Sequence, residues 1–324
     1  MKFLLLLFCV NLGSGILQNG TGQQGGVNQF DTLFNTSGQD TGGQDTGVNL
    51  FGILFNAGGQ DTGGQNTGVN LSDILFNTRG QHTGVGVTVE EINNMLNAIQ
   101  STPFLGIYGD SMQGECPSGQ QSKRTRIQAM GFDLDLWSAV MCTFAVMTTG
   151  PDHYARLYNP GKTVPGVSIQ TFYLPLYAHN TASFMTVPRT LNPTFFVTAT
   201  LTGCDIFVAT SGQNLNCPLV VIHTNACGTM TTDTNHQEAI AVLSIDICHQ
   251  QPYQIQYRVA SSEHRSIIEH GGYHYTTEYY ETSQSGIFFG YTLGSRYTSI
   301  TTVPPWMFCR KNGLTTAIAC HNIA

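Results

Sequence analysis

From Val167 onward the chain is written in strand-sized pieces, and this limits its possible folds more than any other feature. Segments 167–178, 195–201, 206–210, 219–223, 239–247, 254–259, 273–281, 287–293 and 297–303 are rich in Val, Ile, Thr, Tyr and Phe, with Gly, Pro and Asn between them. β-Branched and aromatic residues suit a pleated, half-buried surface, and the punctuating residues suit turns. The succession predicts an α+β fold that is mainly β: an antiparallel β-sandwich core with a few packed helices.

Two helices are expected before these strands. Thr88-Val89-Glu90-Glu91 has the spacing of a capping box; Ile92, Met95, Leu96 and Ile99 follow at helical spacing, and Ser101-Thr102-Pro103 ends the run. Segment 137–147 is apolar nearly all round and reads as a buried helix, with Asp135 as N-cap and Gly150-Pro151 as stop. On that reading Asp133 and Asp135 are capping groups, not a carboxylate pair.

Thr88 also marks a border. Upstream, Gly26-Val27-Asn28, Gly47-Val48-Asn49 and Gly68-Val69-Asn70 recur every 21 residues, each followed by a short apolar patch and a Gly/Gln/Asn/Thr spacer. One patch cannot bury itself, so the arm is either a slack linker or a multivalent one suited to self-association. Asn19, Asn35 and Asn70 head the glycosylation triplets Asn19-Gly20-Thr21, Asn35-Thr36-Ser37 and Asn70-Leu71-Ser72. Met1-Lys2, the apolar run 3–10 and the small residues Gly13 and Gly15 form a signal-peptide pattern. The expected organisation is a signal peptide over 1–15, an arm over 16–87 and a globular β-rich domain over 88–324.

Only 10% of the 324 residues are charged, with 13 Lys+Arg against 20 Asp+Glu and a formal net charge of -7. No basic stripe exists to displace counterions from phosphates, which argues against nucleic acid. The leader's apolar run is too short for an integral membrane span. An exported chain would keep Cys116, Cys142, Cys204, Cys217, Cys227, Cys248, Cys309 and Cys320 in an oxidising compartment, enough for four disulfides.

Leu201-Thr202-Gly203-Cys204 enters one apolar run, a turn-rich segment follows, and a second run ends in His223-Thr224. In a symmetric hairpin centred on Gln213/Asn214, Cys204 and His223 face one another across the strands. A thiol beside an imidazole can act as nucleophile and base, and Gly203 would let neighbouring amides approach an oxyanion. These residues resemble the Leu-Ser-Gly-Cys…His signature of the bacterial protein-glutamine deamidases, a group that includes the cytotoxic necrotizing factor toxins and the chemoreceptor deamidases. Thr202 stands where that signature has Ser.

The resemblance implies a β-sandwich with Cys204 as nucleophile, His223 as general base, Thr202 and Gly203 as oxyanion and backbone support, and no cofactor. It also implies a protein substrate bearing a glutamine, a Rho-type GTPase in some relatives, and transglutamination where an amine replaces water. The alternative is that Cys204 joins a disulfide in a non-enzymatic secreted matrix or adhesive protein. His264, His270 and His274 lie near one another in sequence, but their spacing matches no zinc motif. His270 and His274 are expected on one face of a strand over 273–281 or in its approach.

Overall fold

The computed structural model describes residues 87–323 apart from 103–106, 109–122, 139–140, 148–153, 161–162, 165, 177–180, 213–215, 226–231, 250, 284–285, 295–304 and 313–314. The expected signal peptide, the repeats, Asn19, Asn35, Asn70, Cys116, Cys227 and the expected strand over 297–303 lie outside the described residues.

Helix α1 (Val89–Ser101) begins at the capping box read from the sequence. Thr88 Oγ1 accepts from the Glu91 amide at 3.1 Å, and Glu91 accepts from the Thr88 amide at 2.7 Å. Its Ile92, Met95, Ala98 and Ile99 are buried in the main core.

Among the described residues fifteen strands form two sheets. The first contains β1 (Ile107–Tyr108), β4 (Met141–Met147), β5 (Tyr154–Tyr158), β6 (Val167–Leu174), β8 (Thr194–Thr198), β13 (Gly286–Thr292), β14 (Trp306–Asn312) and β15 (Ile318–Ile323), in the order β1-β5-β4-β6-β8-β13-β14-β15. The second contains β2 (Lys123–Ala129), β3 (Phe132–Ser138), β7 (Ala182–Val187), β9 (Asp205–Thr210), β10 (Leu219–Thr224), β11 (Gln254–Ser261) and β12 (Thr276–Tyr280), in the order β12-β11-β9-β10-β7-β3-β2. Nine of the thirteen strand pairs are antiparallel, and the pairs β1–β5, β3–β7, β6–β8 and β11–β12 are parallel. The β-sandwich is present, and both of its sheets are mixed.

The main core lies between the sheets. Phe144, Val146, Phe196 and Phe288 of the first sheet meet Ile206, Val208, Val221 and Val259 of the second. The alternate residues of the second sheet, Phe207, Ala209, Val220 and Ile222, join a second core beneath α2 (Thr234–Leu243), where Ala239, Ala241 and Val242 lie. β9 and β10 are thus buried on both faces, which is why their sequences are continuous apolar runs with little alternation.

Two element expectations are corrected. Segment 137–147 is not a helix: it contains the end of β3 and all of β4, which sits between β5 and β6. Phe144 and Val146 enter the main core while Ala145 and Met147 pack with Tyr158 on the other face, so an all-round apolar run here marks a doubly covered strand. Asp135 is not an N-cap but lies within β3, buried, with its carboxylate 2.7 Å from Arg124 and 3.5 Å from Arg126. Asp133 accepts from Gln128 across the same hairpin.

The expected strand over 239–247 is instead largely α2. Asp233 caps that helix by accepting from the His236 amide at 3.1 Å, and small alanines let its backbone approach the sheet. Two short helical segments follow β11, a 3-10 turn (Ser262–His264) and α3 (Arg265–His270). His270 therefore ends a helix and His274 lies in the exposed approach to β12, so the two do not share a strand face. Among the described residues no group of three metal-ligating side chains comes together, and no helix is long and apolar enough to cross a membrane.

Candidate functional site

The chain crosses from the first sheet to the second between β8 and β9, and residues 199–204 make the crossing. Leu201 still belongs to the first sheet: its amide donates to the Gly286 carbonyl at 2.9 Å, and Gly286 donates back at 3.3 Å. Gly203 then takes φ +116°, with no atom within 4 Å of where a Cβ would stand. Its requirement for glycine is thus conformational, not one of space. This turn delivers Cys204 to the head of β9.

β9 and β10 form the expected hairpin, but the register differs by two residues. Thr224 pairs with Asp205 and His223 with Ile206. The reason lies at the start of β10, where Cys217 is held in a disulfide with Cys248 and Pro218 has no N–H to offer. Both residues stay out of the ladder. Cys204 and His223 are consequently not direct partners: the ladder begins at Asp205, and Cys204 stands just outside it, two residues before the Ile206 that faces His223.

Within a ladder an offset of two keeps the same side, because the side-chain period is also two. Diagonal positions sit about 7–8 Å apart, still within reach of a long or aromatic side chain. Nevertheless no hydrogen bond joins the two groups, and His223 Nε2 has no partner. Directly across from His223 on β7 stands Ser183, whose Oγ also has none.

Cys204 is the free thiol among the described cysteines. Cys217–Cys248 and Cys309–Cys320 are disulfides, and Cys142 is disulfide-bonded as well. Cys204 is 2% exposed and His223 is 0% exposed. Burial pushes the thiol up to about 12 against the pull of the Thr202 amide, and Asp205 raises it further. Burial likewise drives the imidazole down to about 3, with Asp205 opposing. Both groups are therefore neutral near pH 7.

The backbone around the thiol is clamped. Tyr280, from the edge strand β12, accepts from the Gly203 amide at 2.8 Å and donates to the Cys204 carbonyl at 2.7 Å. The Gly203 amide, expected near an oxyanion, is thus engaged by a phenol, and Thr202 is exposed. On the inner side His223 Nδ1 lies 2.8 Å from Thr198 Oγ1, which reaches over from β8 of the opposite sheet.

The other face of β9 carries a buried ionic cluster. Asp205 receives Arg258 through Nε at 3.0 Å and through Nη2, the Ser261 amide at 3.3 Å, and pairs with His264 Nδ1 at 3.0 Å. Arg258 also donates to Asp233, the cap of α2, at 2.6 and 2.9 Å, and its guanidinium lies 4.7 Å from the centre of the Phe207 ring. The Asp205 hydrogen bond holds His264 above the ordinary imidazole range.

Thr198, Ser183, Arg258 and Tyr280 escaped the reading of the sequence: the first two stand on the strands just before the crossing and the last two on strands far downstream, and no local pattern marks any of them as facing the site. Asp205 was the one visible signal, a carboxylate set into an apolar run beside the cysteine. The chain matches no protein-family model and no curated protein.

Proposed function

We propose that the β-sandwich is a cysteine–histidine amide hydrolase that deamidates a glutamine side chain of a protein substrate, held closed in the conformation described. The observation that carries this reading is the free thiol of Cys204, at the head of the strand that pairs with the strand of His223, in a domain whose other described cysteines are in disulfides. The leader, the disulfides and the sequons support an exported, glycosylated protein, with the repeat arm anchoring or delivering the enzyme as a toxin-like effector. A Rho-type GTPase is the substrate that the resemblance around Cys204 suggests.

In this scheme His223 Nε2 takes the thiol proton as Cys204 Sγ attacks the carboxamide carbon. The tetrahedral intermediate collapses when His223 returns the proton to the leaving nitrogen, releasing ammonia and leaving a thioester. Water, deprotonated by His223, then gives glutamate and the free thiol; a primary amine in its place gives transglutamination. The closed site has both partners neutral, so the first proton transfer follows the opening of the Tyr280 clamp and the entry of substrate.

Ammonia release from glutaminyl proteins, measured with the full chain, is expected to be lost in Cys204→Ser and in His223→Ala. Release that survives both substitutions refutes the dyad.

A second reading is favoured by the burial of both groups and the absence of a hydrogen bond between them. In it the domain is a non-enzymatic, disulfide-stabilised module of a matrix or adhesive protein, and Cys204 and His223 are core residues. A native protein that releases no ammonia and whose Cys204 resists thiol reagents would decide for this reading.

A further inference from the structure

The carboxylate of Asp205 carries two loads. Oδ2 accepts from Nε and Nη2 of Arg258, while Oδ1 accepts from the Ser261 amide at 3.3 Å and lies 3.0 Å from His264 Nδ1. The side chains of Asp205 and Arg258 are fully buried and that of Asp233 nearly so, whereas the His264 side chain keeps 24% of its surface exposed. His264 is thus the member of the cluster that exchanges its proton with solvent. Charged, it balances two carboxylates against two cations. Neutral, it leaves one negative charge in excess among buried groups, where an uncompensated charge is costly. Asp205 of β9, Arg258 of β11 and Asp233 at the cap of α2 act on its ring; Glu263 and Arg265 flank it, and Tyr279 of β12 lies 4.1 Å beneath the Arg265 guanidinium.

The turn that carries His264 is tied to the strand that guards Cys204. Ser262 donates to Glu281 at 3.0 Å, and Thr282 donates to Glu263 at 2.6 Å. Glu281 and Thr282 directly follow Tyr280, and Tyr280 is the ladder partner of Ser261, whose amide Asp205 holds. A closed loop therefore runs from Cys204 to its neighbour Asp205, through His264 and Ser261 to the end of β12, and back through the Tyr280 hydroxyl to the Cys204 carbonyl. Because β12 is an edge strand with one ladder, to β11, these ties add to a hold that the sheet supplies from one side.

We infer that the His264–Asp205 pair is a pH-sensitive latch: protonated, it keeps the turn 262–264, and with it the Tyr280 clamp, closed over Cys204, and loss of the proton loosens the clamp. The Asp205 hydrogen bond outweighs burial and the Arg258 charge, so the folded state holds this proton more tightly than the unfolded chain does. The hold is full below about pH 6.5 and is lost as pH rises through the higher folded value. A role in turnover rests on the cysteine–histidine reading; the latch does not.

Two measurements test it. In the unsubstituted full chain, NMR follows the imidazole shifts of His264 and the amide shift of Gly203, which donates to Tyr280, as pH is raised. Both should move with one midpoint above about 6.5. A His264 midpoint at or below that value, or a Gly203 amide that does not follow it, overturns the latch without any variant. The second measurement is the rate at which a small thiol reagent labels Cys204, located by mass spectrometry. The reagent's own pH dependence cancels in the ratio of His264→Gln to unsubstituted protein. That ratio should be about tenfold or more near pH 5.5, as expected for loss of a charge-assisted hydrogen bond, and should approach one near pH 8.5. A ratio that stays flat with pH overturns the latch. In Tyr280→Phe, which lacks the clamp, adding His264→Gln should leave labelling unchanged; an undiminished effect there overturns the route through Tyr280. The expected ratios in a protein that releases no ammonia would sink the hydrolase and leave the latch standing.

Discussion

The hydroxyl of Tyr280 donates to the carbonyl of Cys204 at 2.7 Å and accepts from the amide just before it at 2.8 Å, so one phenol holds both sides of this peptide segment. Tyr280→Phe removes both bonds and leaves the backbone groups without their partner. A loss of about 1–3 kcal/mol is expected in urea unfolding, together with faster labelling of Cys204 in the native protein. Equal labelling rates in the two proteins would show that the clamp does not guard the thiol.

Arg258 stands between two carboxylates. Arg258→Met removes the guanidinium that Asp205 and Asp233 share, leaving His264 as the basic group beside Asp205, at an expected cost of about 3–5 kcal/mol. Adding Asp205→Asn should recover part of it, since one of the two negative charges is then gone. Denaturant midpoints of the single and double variants measure both; a milder single than double variant would contradict the assignment.

Glu238 projects from the buried side of α2, 1% exposed, with Oε2 lacking a partner, and burial raises its carboxyl to about 7 from 4.5. The folded state holds this proton more tightly than the unfolded chain. Its contribution is therefore full below about pH 4.5 and is lost as pH rises through about 7, a change on the order of 3 kcal/mol. His223 and His236 work the other way, because burial lowers both: their contributions are present above about 6.5 and are lost as pH falls toward about 3 and 4. The difference in unfolding free energy between the unsubstituted protein and Glu238→Gln should consequently shift toward the glutamine variant across pH 4.5–7. A difference that stays flat with pH would show that this carboxyl titrates normally.

Cys217–Cys248 spans 31 residues and ties the head of β10 to the segment after α2. Loop-closure entropy puts its contribution at about 3–4 kcal/mol, against about 3 kcal/mol for Cys309–Cys320, which spans 11 residues and staples the directly paired positions of β14 and β15. Paired alanine substitutions followed by guanidinium unfolding should rank the two in that order. Cys217→Ala/Cys248→Ala should also loosen the start of the strand that carries His223, seen as faster amide exchange in β10.

What the sequence made legible was local. The Thr88–Glu91 capping box needs only four neighbouring residues, and it stands as read. The strands of the second half were visible in their composition, because β-branched and aromatic residues announce a sheet wherever it lies. Segment 137–147 failed because a strand covered on both faces and a buried helix leave the same apolar trace. At 239–247 the Asp233 cap and the alanines were present but were outweighed by Ile and Val. The β9–β10 hairpin was legible while its register was not, since Cys217 and Pro218 leave the ladder for reasons that lie at Cys248 and in the proline ring. Thr198 and Tyr280 had no local mark at all: their roles arise only once two sheets, or an edge strand and a crossing, have come together.

The order of the first sheet has a consequence for the birth of the protein. β8 ends at Thr198, yet its antiparallel partner β13 begins only at Gly286, and β14 and β15 extend the sheet from there. Until those residues leave the ribosome, β8 keeps an open hydrogen-bonding edge, and the sheet that holds Thr198 against His223 is incomplete. Such distant pairings fold slowly and expose strand edges while they wait. The site therefore cannot exist until the strands from β13 onward, far downstream of β8, have been made and have paired.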